Sequence, residues 1–154
     1  MSQLQGAKVQ AATFPNDVRL QMVAGNLCRE AGDHAGACQY YYAAVGLGLP
    51  IDGRFEFYFD FGDSLRRIGS LEDAEEIFRT AINEFPSDKG YPVFLAQVLH
   101  QAGKHDQAMM ELHHLMVRLR DKVVDFAKHK PELLAFMKEL GVESVQPDLG
   151  EEGD

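Results

Sequence analysis

Apolar and small residues recur through the middle of the chain with the spacing of amphipathic helices, and the whole pattern then repeats. Tyr58-x2-Phe61-Gly62-x2-Leu65 is followed by Gly69, by Ala74-x3-Phe78-x2-Ala81 and by Pro86. A shift of 34 residues gives Leu95-Ala96-x2-Leu99, Gly103, Ala108-x3-Leu112 and Leu115. A shift back by 37 gives Ala24-Gly25-x2-Cys28, Gly32, Ala37-x3-Tyr41 and Ala44. Small residues at three fixed offsets, each framed by apolar positions, mark copies of one supersecondary unit. Each copy predicts two helices joined by a short turn, at Gly32-Asp33, Gly69-Ser70 and Gly103-Lys104. Glycine there can take the left-handed conformation that ends the first helix.

The small residues inside the helices have their own logic. Gly25, Gly62 and Ala96 sit in the first helices, where glycine costs about 1 kcal/mol against alanine. Close approach of the paired helix compensates, with Ala37, Ala74 and Ala108 as the matching small surface. The extra three residues between the first two units fall in Leu49-Pro50-Ile51-Asp52-Gly53-Arg54, a run of turn formers that tolerates insertion. One local signal competes: Phe55, Phe57, Phe59 and Phe61 alternate like a strand. Nothing else in the sequence offers a partner strand, so the repeat register assigns this run to a helix.

These residues resemble the tetratricopeptide repeat, whose 34-residue pattern places an aromatic, a Leu-Gly pair, an aromatic, Ala, Phe, Ala and Pro at these offsets. Residues 55–88 match best, 18–51 well and 89–122 less closely, with Pro92 at the first aromatic position and Arg120 at the terminal proline position. The second helix of that last unit is expected to run on to about Lys128. The resemblance implies an all-α fold, a right-handed superhelical stack of three helix-turn-helix units with a C-terminal capping helix. Lys130-Pro131-Glu132 begins that closing helix, at 131–140, with Leu133, Leu134, Phe136, Met137 and Leu140 as its apolar face and Gly141 as its stop. The repeat domain is thus expected over 16–141. Residues 1–15 are expected to be poorly ordered or a short helix, and 142–154 an acidic disordered tail.

Length and composition agree with one soluble domain. The chain has 154 residues, 45% apolar and 25% charged. Its net charge of −9 disfavours nucleic acid and anionic membrane surfaces. No apolar run reaches the roughly 18–20 residues that span a bilayer, and the first residues lack a secretory leader. Cys28 and Cys38 lack CxxC spacing and read as two reduced, packed thiols, so a cytoplasmic location is expected.

What the resemblance implies about function is a protein-interaction scaffold or adaptor, small and bacterial, that holds a peptide or protein segment in its concave groove. Carrying over the family's groove positions nominates Arg19, Met22, Asn26 and Arg29 from the first unit. The second contributes Glu56, Phe59, Asp63, Arg66 and Arg67, and the third Val93, Gln97 and His100. Arginine offers paired donors to carboxylate, which suggests an acidic peptide; alternatively these arginines pair with neighbouring acids. A subset of the family grips carboxylate tails with Lys, Asn, Asn, Lys and Arg. The matching positions here are Met22, Asn26, Asp60, Gly90 and Phe94, and only Asn26 agrees.

Other chemistry finds little support. His100 and His105 straddle a turn, His113 and His114 point to different sides, and no HExxH or i,i+4 histidine pair exists, so no metal is expected. No nucleophile elbow, phosphate-cradling glycine loop or paired-carboxylate motif appears, so neither catalysis nor a cofactor is expected. Tyr40-Tyr41-Tyr42 cannot all face inward on a helix, and Met109, Met110 and Met116 add adaptable apolar surface. The alternative function is therefore a self-associating structural module, a homodimer built on that surface.

Overall fold

The three glycine turns share one backbone geometry. Gly32, Gly69 and Gly103 have φ of 84°, 84° and 82°. In each, the glycine N–H donates three residues back and the next N–H five residues back, as in Gly32→Arg29 and Asp33→Cys28 at 3.0 and 2.8 Å. Ser70→Leu65 and Lys104→Leu99 repeat the second bond at 2.9 and 2.8 Å. This pair of bonds is the Schellman closure, which satisfies carbonyls that a helix end leaves open. Cys28, Leu65 and Leu99 are the residues that the sequence repeat aligns.

The computed structural model describes residues 2–139, without the side chains of residues 118–127, 134 and 137. Among the described residues eight helices follow in order: α1 (Gln3–Thr13), α2 (Val18–Glu30), α3 (His34–Leu47), α4 (Arg54–Arg67), α5 (Leu71–Glu84), α6 (Gly90–Gln101), α7 (His105–Lys128) and α8 (Pro131–Glu139). There is no strand among the described residues. The alternating phenylalanines lie on α4, where helical geometry sorts them. Phe57 and Phe61, one turn apart, are buried, whereas Phe55 is exposed and Phe59 half-buried. The extension of the third unit's second helix ends at Lys128. The tail expected over 142–154 and the stop at Gly141 lie outside the described residues.

Two compact units divide the chain, one ending at Ile77 and the other beginning at Phe78. In the first, α2 packs on α1 and α3, and α3 on α4. Its core is aromatic: the Tyr41 ring lies 5.3 Å from Phe57 edge-on and 5.5 Å from Phe61. Full burial of each such side chain contributes about 1.5–3 kcal/mol. Gly25 makes this possible, because a Cβ there would come within 2.7 Å of the Tyr41 ring. In the second unit, α6 packs on α7 and α8 on both. Leu95, Leu99, Leu112, Leu133 and Phe136 are buried there, and Phe78 lies 6.0 Å from Tyr91.

Local signals start the helices. Asp17 accepts from the Arg19 and Leu20 amides at the head of α2, and Asp33 from Gly36 at the head of α3. Ser2 and Gln5 form a reciprocal capping box that begins α1. Residues 3–13 are thereby helical. The inserted connection after α3 turns through Gly48 and Gly53, both at positive φ, and Arg54 clips it by donating to the Pro50 and Leu49 carbonyls.

Candidate functional site

The first helices of the first two repeats, α2 and α4, bring six charged and polar side chains together. Asp63 is the hub, with its side chain 8% exposed. It accepts from Arg29 Nη2 at 3.0 Å, Arg66 Nη2 at 3.0 Å and Arg67 Nε at 2.8 Å, with Arg66 Nε at 3.3 Å. An ionised carboxylate offers about four lone-pair sites, so its capacity is filled. Burial alone would push the Asp63 carboxyl up, but the bonds and charges of Arg67 and Arg66 outweigh it and hold the group below the usual range. The arginines nominated as anchors for an acidic ligand are engaged on an internal acid.

One turn earlier on α4, Asp60 has different company. Its ion pair is with Arg29 Nε at 3.5 Å, and its carboxylate accepts no hydrogen bond among the described residues. Burial pushes the Asp60 carboxyl up; Arg29 opposes this, while Asp63, Glu56 and Glu30 reinforce it. Arg29 Nε is itself buried without a hydrogen-bond partner. The Arg29 guanidinium also lies over the Phe59 ring, 5.3 Å from its centroid.

Beside them, the Tyr41 hydroxyl donates to Asn26 Oδ1 at 2.7 Å. Tyr41 is fully buried, so this bond fixes the exposed Asn26 amide from beneath and leaves its NH2 as the outward donor. The fields of Asp60 and Arg29 both reach the Tyr41 hydroxyl, which places all four groups in one locus. Met22 and Phe59 supply half-buried apolar surface, and Glu56 is exposed. Arg19 lies toward the repeat junction, paired with Asp52 at 3.0 Å. His34, at the head of α3, has its Nδ1 3.5 Å from Ser64 Oγ. Burial, Arg67 and Arg29 lower its pKa, which keeps it neutral at pH 7.

The third repeat's nominated residues lie on α6 in the second unit. Val93 is fully buried and Gln97 half-buried. His100 Nε2 meets Glu139 at 2.9 Å, and its Nδ1 meets His105 Nδ1 at 2.8 Å, which ties α8 to the α6–α7 turn. No group of three metal-ligating side chains occurs among the described residues. Cys28 and Cys38 are free and buried, and burial pushes the Cys38 thiol up to about 11. No helix is long and apolar enough to cross a membrane among the described residues.

Asp60 and Tyr41 were not among the nominated site residues. A signal for part of the cluster was present: Asp63-x2-Arg66-Arg67 puts both arginines at helical pairing distance from one acid. The role of Tyr41 depends on a contact 15 residues away and had no such local signal.

Residues 59–112 match the tetratricopeptide repeat family. Among solved structures, the chain is similar to MamA AMB-1, with 20% identity and a TM-score of 0.65 over 73% of this chain and 64% of that one. It is also similar to MamA MSR-1, with 19% identity and a TM-score of 0.64 over 75% and 66%. A further MamA crystal structure matches with 18% identity and a TM-score of 0.64 over 89% and 84%. At such identities the likeness establishes the all-helical repeat fold. The chain thus spans less than two thirds of the MamA AMB-1 structure's length. No curated protein matches the sequence.

Proposed function

We propose that this chain, a tetratricopeptide repeat protein, is an adaptor that holds a segment of another protein against the α2/α4 face of its first unit. Repeats of this kind form protein-interaction scaffolds, and this face carries the groove positions that the resemblance nominated on α2 and α4. One observation carries it: the exposed Asn26 amide is fixed by a bond from a buried tyrosine, one helical turn from half-buried Met22, while half-buried Phe59 lies under Arg29 of the same helix. A fixed donor beside apolar surface can bind a peptide carbonyl and a neighbouring side chain without first being ordered. The reading is of a cytoplasmic binding protein without catalysis, cofactor or metal.

Selection of a random peptide library on the full chain tests this. Selected peptides should lose binding to Phe59→Ala and Met22→Glu variants whose circular dichroism is unchanged. Peptides that bind those variants as tightly as the parent would remove the face from consideration.

Self-association is the second reading, favoured by Met110 and Val117 on α7, 59% and 71% exposed and seven residues apart on one helix face. Light scattering at high micromolar concentration decides it; a strict monomer eliminates the homodimer.

A further inference from the structure

We infer that the α2/α4 face selects a basic segment, with a lysine or arginine of the partner placed against Asp60 and the adjoining backbone against Asn26. This rests on the reading of that face as the binding surface and adds the chemistry of its occupant. It also reverses the acidic peptide that the arginine content suggested.

The arginines of this face are already saturated by an internal acid. Asp63 draws N–H donors from Arg29, Arg66 and Arg67 into a site where it is 8% exposed. A ligand carboxylate would have to compete with this internal acid for each of the three guanidiniums. Arg29 in addition covers the Phe59 ring. Breaking such an arrangement leaves Asp63 buried and uncompensated, which is the costly outcome for a buried pair.

Asp60 is the acceptor left over. Asp60 is 30% exposed in its side chain, and Arg29 Nε, at 3.5 Å, is beyond a good N–H···O length. An incoming ammonium or guanidinium would supply the donors this carboxylate lacks, as a charge-assisted hydrogen bond. The surrounding field has the matching sign. Glu30, Glu56, Asp60 and Asp63 give four negative charges against three from Arg29, Arg66 and Arg67. The chain as a whole carries −9, which steers a cationic partner toward it.

Tyr41 holds Asn26 Oδ1, so the amide keeps its NH2 to donate, and the Asp60 charge acts on the same tyrosine. A peptide carbonyl and a cationic side chain satisfy this pair; an acidic side chain satisfies neither Asp60 nor the field. Met22 and Phe59 then take an apolar neighbour.

The test is the random peptide selection, run in parallel on the full-length parent chain, Asp60→Asn, Asp60→Lys and Phe59→Ala, each checked for helical circular dichroism. Parent-selected peptides should be enriched in Lys or Arg at one position. Asp60→Asn should bind those peptides about tenfold more weakly, the size of one charge-assisted bond. Asp60→Lys should turn the preference at that position to Asp or Glu. Parent-selected peptides rich in acids, or a basic preference unchanged by both Asp60 substitutions, would overturn the inference while leaving the face in place. Peptides that bind Phe59→Ala undiminished, or no enrichment from the parent chain, would overturn both.

Discussion

Arg29 Nη2 on α2 donates to Asp63 Oδ2 on α4 at 3.0 Å, a bond between the first helices of two successive repeats. Arg29 and Arg66 occupy the same repeat position, so Asp63 is gripped by one arginine from each of two copies and by Arg67 besides. The cluster therefore fixes the register of α2 against α4.

Removing the hub should be costly. Asp63→Asn leaves three guanidiniums facing a neutral amide in a part-buried site, with an expected loss of about 3 kcal/mol. Arg67→Ala, at a side chain 40% exposed, should cost less than about 1 kcal/mol. Urea unfolding followed by circular dichroism measures both. The pH dependence follows from the lowered carboxyl of Asp63. Its contribution is complete above the unfolded value of about 3.9 and is lost as pH falls through the lower folded value. The gap between parent and Asp63→Asn should thus hold down to about pH 4 and close below it.

Asp60 should behave in the opposite sense. Its pKa is raised, chiefly by burial, so the charged form is disfavoured by folding at neutral pH. The stability linked to its proton is present below the unfolded carboxylate value and disappears as pH rises through the folded one. Asp60→Asn should therefore leave the urea midpoint at pH 7 unchanged or higher, in contrast to Asp63→Asn. A carboxylate that does not stabilise the fold, on an accessible face, fits a binding role.

Glycine substitutions should separate close packing from propensity. Gly25→Ala would drive a Cβ to within 2.7 Å of the Tyr41 ring, and an expected loss of about 2 kcal/mol follows from overpacking. Gly46→Ala, in α3 with nothing within 4 Å and no positive φ, should gain about 0.5 kcal/mol. Thermal melts of the two variants should move in opposite directions.

How much of this was legible beforehand differs between fold and site. The turns at Gly32, Gly69 and Gly103 were readable because a left-handed φ and a fixed helix register are local demands, written as a glycine at a constant offset. The phenylalanine run misled only by its period of two. Burial of Phe57 and Phe61 against Tyr41, four residues apart on one side, resolves it as a helix. The site was less legible. Sequence offsets nominated Arg29, Arg66 and Arg67, but they could not say whether the guanidiniums meet a ligand or Asp63. For Arg66 and Arg67 the i+3 and i+4 spacing from Asp63 was a local hint; for Arg29 the choice depends on side-chain reach between α2 and α4, which no single repeat encodes. Asp60 differs from Asp63 in its exposure and in how many donors surround it, both properties of the packed helices alone.

Hydrogen–deuterium exchange with a library-selected peptide shows whether partners engage the α2/α4 face. Exchange over 18–30 and 54–67 should slow on peptide addition, an effect abolished by Phe59→Ala. Slowed exchange confined to α7 and α8, with 18–30 and 54–67 unchanged, would contradict it.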